Sequence, residues 1–303
     1  PAAYPEPAWP DAGNRYITQS QQQQSLILAD TIGLTDRWQL MASLSYSWMK
    51  LRNYNKTGLT RESSDTGLSP FVSLLYKLNP ASSVYVSRAD TLQPGDTAPA
   101  GTANEGEALD PYRSKQWELG YKTRLGSFDV NAAVFRIERP YAYSDASAQV
   151  GGRPLYRTSG RQVNHGLELS AVGSVSRDLS VNAGIAWLDP RIRQSANAAS
   201  EDKRIVGLSR WSLGLGADLR IAAVPGLSAN ARILAVDRRA ANYENSDWIA
   251  GYAIGDVGLR YQNRLMGKDA VWRLTVNNVT DKRYWTNVVA GGLNGYSGTG
   301  NAS

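Results

Sequence analysis

The sequence contains no cysteine and a single histidine, His165, among its 303 residues. Without cysteine there is no disulfide framework, thiolate metal site or cysteine nucleophile. One histidine leaves no imidazole-rich metal cage and no Ser-His-Asp set around which an enzyme could be assembled. Phenylalanine numbers only 3. No apolar run approaches the roughly 18 residues of a membrane-crossing helix, and no long segment carries a 3.6-residue stripe. Neither a starting methionine nor a signal peptide is seen at Pro1, as expected of a mature or truncated product. The glycine-rich end (Gly291, Gly292, Gly295, Gly298, Gly300) lacks the Lys-Ser/Thr of a phosphate-cradling loop and reads as a surface loop.

A concentrated charge of one sign is also missing. The 33 lysines and arginines stand against 27 acids, for a net charge of +6 and a pI near 9.4. Both signs are scattered along the chain, which fits solvated loops and a polar lumen better than a nucleic-acid face. What is plentiful is glycine (28), tyrosine (16) and tryptophan (9). Tyrosine and tryptophan suit a bilayer interface, where an apolar ring carries a polar tip.

The dominant pattern is alternation with period two. Ala42, Leu44, Tyr46 and Trp48 share one face, and Ser43, Ser45 and Ser47 the other. Trp117, Leu119 and Tyr121 oppose Glu118, Gly120 and Lys122; Trp272, Leu274 and Val276 oppose Arg273, Thr275 and Asn277. This is strand periodicity. It predicts about twelve strands, near 20–34, 38–51, 67–77, 83–91, 114–125, 128–142, 162–176, 179–192, 207–222, 227–240, 251–263 and 270–279. Several reach about a dozen residues, longer than the five or six usual in globular sheets and suited to a tilted membrane strand. Their connections alternate between short turns and long loops. The short ones lie at Thr35-Asp36, Asn79-Pro80, Gly126-Ser127, Arg177-Asp178, Pro225-Gly226 and Gly267-Lys268; the long ones at 52–66, 92–113, 143–161, 193–206, 241–250 and 280–303. Such parity is a property of bacterial outer-membrane barrels, and a soluble sandwich has no reason to keep it.

Trp38, Trp48, Tyr121, Trp187, Trp211, Tyr261 and Trp272 are therefore expected in outward aromatic girdles. Glu118, Glu168 and Asp218 are expected to point inward and pair with Lys122, Arg124, Arg220 or Arg232. His165 is read as a hydrogen-bonded lumen or loop residue, and no signature of catalysis is found.

Several stretches resemble the barrel of TonB-dependent siderophore receptors. Leu274 to Trp285, LTVNNVTDKRYW, is similar to the family's late-barrel NNLFDKRY segment. Asp110 to Lys122, DPYRSKQWELGYK, is similar to its P-x-x-S-x-Q-x-E-x-G-x-K segment. AVFRIERP (133–140) and the hairpin from His165 to Ile192 follow in the family's order.

The resemblance implies an all-β, antiparallel transmembrane β-barrel of about 22 strands closed by a plug. About twelve of those strands are expected here. Residues 1–303 would form one partial barrel domain, a fragment of a longer receptor lacking the plug, the TonB box and the closing strand. It implies a multi-pass protein of the bacterial outer membrane, monomeric and in contact with outer-membrane lipid and lipopolysaccharide. It would take up a ferric siderophore and reach TonB through the missing amino-terminal region. No resident cofactor or metal is expected, because iron enters as a ferric siderophore chelate, and no nucleic acid. A hydroxamate of the ferrichrome type is the favoured ligand. A passive porin, a haem or cobalamin importer, a barrel enzyme and an adhesion role remain as alternatives. Ligand contacts are expected from loop aromatics and cations: Tyr54, Tyr112, Tyr141, Tyr143, Tyr156, Tyr243, Trp248, Tyr284, Trp285 and Tyr296, with Arg153 and Arg157.

Overall fold

The computed structural model describes residues 16–195, 198–289 and 292–297, with side chains omitted for 289 and 292–297. Its strands in chain order are β1 (Gln19–Gly33), β2 (Trp38–Asn55), β3 (Gly58–Asn79), β4 (Ser82–Gln93), β5 (Tyr112–Leu125), β6 (Phe128–Val150), β7 (Arg153–Ser174) and β8 (Leu179–Arg193). They continue with β9 (Trp211–Arg220), β10 (Leu227–Val236), β11 (Arg239–Ala240), β12 (Trp248–Ile249), β13 (Tyr252–Leu265), β14 (Lys268–Val276), β15 (Tyr284–Val289) and β16 (Gly292–Ser297). Twelve of these form one sheet in the order β1-β2-β3-β4-β5-β6-β7-β8-β9-β10-β13-β14, each strand antiparallel to the next. β11–β12 and β15–β16 are separate two-stranded ribbons.

The period-two pattern determines which side chains face which way. On one face lie Leu40, Leu44, Val86, Leu119, Val134, Leu167, Ile185, Leu215, Leu259 and Leu274, most of them more than one-third exposed. A soluble protein rarely displays so broad an apolar surface. The expected girdle residues Trp38, Trp48, Tyr121, Trp187, Trp211, Tyr261 and Trp272 are all exposed on this outer face. Trp38 and Trp48 stand ten residues apart on β2. At about 3.3 Å per residue and a tilt near 45°, they span about 23 Å of height, close to the roughly 25 Å apolar band of a membrane barrel.

Opposite these residues the inner face is polar. Ser25 and Ser47 hydroxyls meet at 2.9 Å across β1 and β2. The expected inner-wall ion pairs do not form. Glu118 instead accepts from the Tyr85 hydroxyl and from Gln116 at 2.9 Å, and Lys122 lies 5.0 Å over the Tyr85 ring. Asp218 faces Arg260 at 3.8 Å, Arg124 pairs with Asp129 at 2.8 Å, and Arg220 lies 3.8 Å from Asp178. The register is the reason: Ser87 and Phe135 stand opposite Glu118, and Ser180 and Asn230 opposite Asp218. His165 is exposed on the outer face between Arg136 and Asp189, not in the lumen.

Two of the expected long loops are strand instead. β2 and β3 continue to a tight turn at Lys56-Thr57, and β6 and β7 to one at Gly151-Gly152. Both glycines have positive φ (60° and 76°), as a two-residue hairpin turn of this hand requires. The β3–β4 ladder stops at Phe71, next to Pro70, which has no amide hydrogen to contribute. Beyond it Arg113 of β5 reaches across, its guanidinium donating to the carbonyls of Leu68 and Thr66.

Candidate functional site

At the end of the sheet carrying the long connections, segments fold onto the inner face. The 94–111 segment covers upper β2, where Met49, Leu51 and Asn53 are buried together with Ala98, Ala108 and Leu109. Asn53 donates to the Ala108 carbonyl at 3.4 Å, and Arg61 pairs with Glu107 and with Asp110 at 3.0 Å. The same segment is stitched to β7. Asn104 exchanges two 2.9 Å hydrogen bonds with the Tyr156 backbone, and the Ala103 amide donates to the Pro154 carbonyl.

A second apolar cluster joins three connections: Tyr141 and Tyr143 of β6, Ile192 of β8, and Ile205, with Leu208 and Tyr243 against them. Tyr141 and Tyr143 stack at 6.1 Å, and Tyr143 meets Tyr243 edge-on at 6.2 Å. These three tyrosines were expected at the ligand surface. The structure places Tyr141 and Tyr143 in this cluster, 6% and 3% exposed, where they hold the loops together.

Beside the second cluster is a cavity of about 690 Å³, lined by Gln93, Ser114, Gln116, Arg139, Gln162, Asn164, Glu168, Ile205 and Leu208 among others. That size lies within the range of small-molecule sites. Arg139 organises its wall. It donates to the Tyr112 hydroxyl at 2.6 Å and to Gln162 at 3.0 Å, and lies 3.8 Å from Asp96. Gln162 in turn donates to Asn164 at 3.1 Å. Burial pushes the phenol of Tyr112 above its usual range. Tyr156 is raised by burial and by Asp96, and Tyr141 by burial and by its neighbours Tyr243 and Tyr156. The phenols therefore stay neutral, able both to donate and to accept. Among the described residues no group of three or more His, Asp or Glu side chains is placed to hold a metal.

The other expected contacts are dispersed. Arg157 is committed to Asp145 through two bonds of 3.0 and 2.7 Å. Arg153 stands exposed at the hairpin tip opposite Val150, so Tyr141, Tyr143 and Arg153 are not one group. Tyr54 borders a smaller cavity of about 460 Å³ with Tyr16 and Asn104. Trp248 lies beneath the guanidinium groups of Arg204 and Arg238. Tyr284 stacks on Tyr252 at 4.0 Å, and the carbonyls of Trp285 and Thr286 accept from the buried Arg239. Tyr296 pairs with Trp285 through its backbone, while its side chain lies outside the described residues. Sequence reading missed Arg139, Asp96 and Gln162. The signal for Arg139 was its parity, since it shares the inward face with Phe135 and Ile137.

Comparison with known proteins now bears on this arrangement. The family described as TonB dependent receptor-like, beta-barrel matches residues 1–279. The chain belongs to that family. It is 27% identical over 297 residues to a ferrichrome receptor of Yersinia enterocolitica, covering 95% of this chain and 38% of the receptor. It is 27% identical over 255 residues to a ferrioxamine B receptor of Salmonella typhimurium, covering 82% and 35%. Among solved structures, the ferric preacinetobactin receptor of Acinetobacter baumannii superposes with a TM-score of 0.70 at 29% identity, over 91% of this chain and 42% of that one. The chain thus spans well under half the length of the relatives it matches.

Proposed function

We propose that the intact receptor imports a ferric hydroxamate siderophore across the bacterial outer membrane, energised through TonB, and that the chamber around Arg139 forms part of its ligand site. The observation that carries this reading is Arg139 at the chamber wall, held by the Tyr112 hydroxyl behind it and by Gln162 beside it. The wall offers amides, hydroxyls and one guanidinium, itself partly balanced by Asp96. Such a wall suits a ferric complex whose surface presents carbonyl and amide oxygens. A strongly anionic catecholate complex would need more unbalanced cations than one. Names of the relatives, ferrichrome and ferrioxamine receptors, point the same way.

In this reading the iron arrives already chelated. The protein supplies no iron ligand, holds no resident cofactor and catalyses no bond change. The long connections face outside, the short turns face the periplasm, and the receptor acts as a monomer. The test is equilibrium binding of ferrichrome and ferrioxamine B to the intact receptor, alongside iron uptake by cells carrying it. Arg139→Ala is expected to weaken binding by about tenfold to a hundredfold, the loss of hydrogen bonds from a charged group. Unchanged affinity for both chelates, with uptake intact, would overturn the assignment of the chamber.

A further inference from the structure

The chamber beside Arg139 carries unlike charges at its two ends. Of the described side chains that line it, two are charged, Arg139 and Glu168. Arg139 stands opposite Gln162 of β7, and Glu168 lies six residues further along that strand, about 20 Å away. The Arg139 guanidinium is engaged by Tyr112 and Gln162 and shares its charge with Asp96 at 3.8 Å. Glu168 is exposed to the chamber and makes no ion pair or hydrogen bond among the described residues.

The surroundings of Glu168 leave its charge uncompensated. Its cross-strand neighbours on β6 and β8 are Ala133 and Ala186. One inward position up, the Phe135 ring packs over Gly166 and lines the chamber. Beyond that ring a second carboxylate, Glu118 of β5, stands opposite Phe135 and accepts from Tyr85 and Gln116 without meeting a cation. The inward cations are placed elsewhere. Lys122 lies 5.0 Å over the Tyr85 ring on β4. Arg232 of β10 faces Gly216, four residues closer to the short turns than Ser212, which is level with Glu168 through Ala186. Arg136 and His165 belong to the outer face, and Arg210 lies over the outer ring of Trp187. Two carboxylates thus flank an aromatic ring at one end of the chamber. A primary ammonium suits such a place, with charge-assisted hydrogen bonds to carboxylate oxygens and attraction to a ring face.

We propose that the chamber selects ferric hydroxamates that carry a protonated primary amine on a flexible arm, the chelate lying beside Arg139 and the ammonium at Glu168, next to Phe135 and Glu118. The separation of the two ends sets the ligand's shape, because a compact chelate held at Arg139 meets Glu168 only through an extended arm. A ferric trihydroxamate is itself neutral, so the amine gives the ligand one positive charge. That matches a chamber whose one unshared charge is negative. A neutral cyclic hydroxamate satisfies the Arg139 end alone. This inference rests on the hydroxamate reading above and adds to it the selecting residue.

The experiment uses the intact receptor purified in detergent, with affinities measured by titration calorimetry. The probes are ferrioxamine B, which has a pendant primary amine, and the same chelate with that amine acetylated. The unaltered receptor is expected to bind the amine form about tenfold more tightly, the contribution of a charge-assisted contact. Glu168→Gln should bind the two forms alike, with the acetylated form bound as before. Glu168→Lys should reverse the order, because like charges then meet. Asp129→Asn, at the short-turn end, should keep the preference of the unaltered receptor. Heat-modifiable gel mobility verifies folding, and the acetylated chelate reports an intact site in each variant. Three results would overturn the proposal: equal affinity of the unaltered receptor for both forms, a preference that survives in Glu168→Gln, or an equal loss of both forms in that variant. If neither chelate binds the unaltered receptor, the hydroxamate reading falls as well, so the two failures are told apart.

Discussion

Tyr85 and Gly120 face each other across β4 and β5, and the phenol ring lies over the glycine so closely that a Cβ there would stand 2.2 Å from ring carbons. The ring is held in place by its hydroxyl, which donates to Glu118. Phe135 and Gly166 repeat the arrangement on β6 and β7, with a Cβ 2.1 Å from the ring. Each aromatic thus takes the space that its cross-strand partner leaves, and the inner wall is packed without bulk from both strands. Gly120→Val is expected to displace Tyr85 and to cost roughly 1–3 kcal/mol, the usual penalty of overpacking. Urea unfolding followed by gel mobility checks this, and Gly214→Val, where a Cβ meets nothing within 4 Å, is the comparison.

Tyr112 acts on the chamber through Arg139. Its hydroxyl accepts the 2.6 Å bond that fixes the guanidinium. Tyr112→Phe keeps the ring and removes that acceptor. We expect ferric hydroxamate binding to weaken by about tenfold, since hydrogen bonds to a charged group contribute about 1.5–3 kcal/mol. Titration of the folded variant with ferrioxamine B measures it, and an unchanged affinity would show that Arg139 needs no such support.

Asp145, near the tip of the β6–β7 hairpin, is held at about 2 by hydrogen bonds from Ser147 and Arg157. Its folded value lies below the ordinary 3.8. The associated stability is therefore present above the ordinary value and is lost as pH falls from there toward 2. Pepsin cleavage near the tip should rise across that window in the natural protein. Asp145→Asn should show the raised cleavage without the pH step.

Arg239 ties β15 to the sheet. It is 4% exposed, donates to the carbonyls of Trp285 and Thr286, and lies over Tyr252, which stacks on Tyr284. Arg239→Met removes both donors while filling much of the same space. Hydrogen exchange at 284–289 is expected to speed up by about tenfold or more, equivalent to roughly 1–3 kcal/mol of local stability. Exchange in β9 and β10 should stay as it was.

The strands were legible where lipid would dictate the pattern. β5 and β8 fall within two residues of their expected bounds because their outward positions within the aromatic band, Trp117, Leu119 and Tyr121 on one and Val181, Ala183, Ile185 and Trp187 on the other, alternate clearly with inward polar or small residues. Above the aromatic band that demand ends. Residues 56–66, KTGLTRESSDT, are largely polar on both faces, so the tall extension of β3 read as loop although its backbone pairs with β2 on one side, with an irregularity at Thr60. The reverse error appears at 237–240, which alternates well but leaves the main sheet after Val236. The site was legible only as a collection of residue types. That Tyr143 would meet Tyr243 depends on a connection folding far from its own strands, and that Arg157 would be taken by Asp145 depends on 143–161 forming a paired hairpin where the sequence reads as loop. No local spacing encodes those meetings, whereas the inward parity of Arg139 was available.

The turn at Gly151-Gly152 closes a hairpin whose two strands run on from the apolar band of the sheet. Both tip residues are exposed, and a Cβ at either would touch nothing within 4 Å. A foreign peptide spliced between them would replace a turn held by backbone conformation alone, at the kind of exposed tip that tolerates insertion. If the barrel lies in the membrane as proposed, that splice would carry an epitope well clear of the bilayer and within reach of an antibody on living cells.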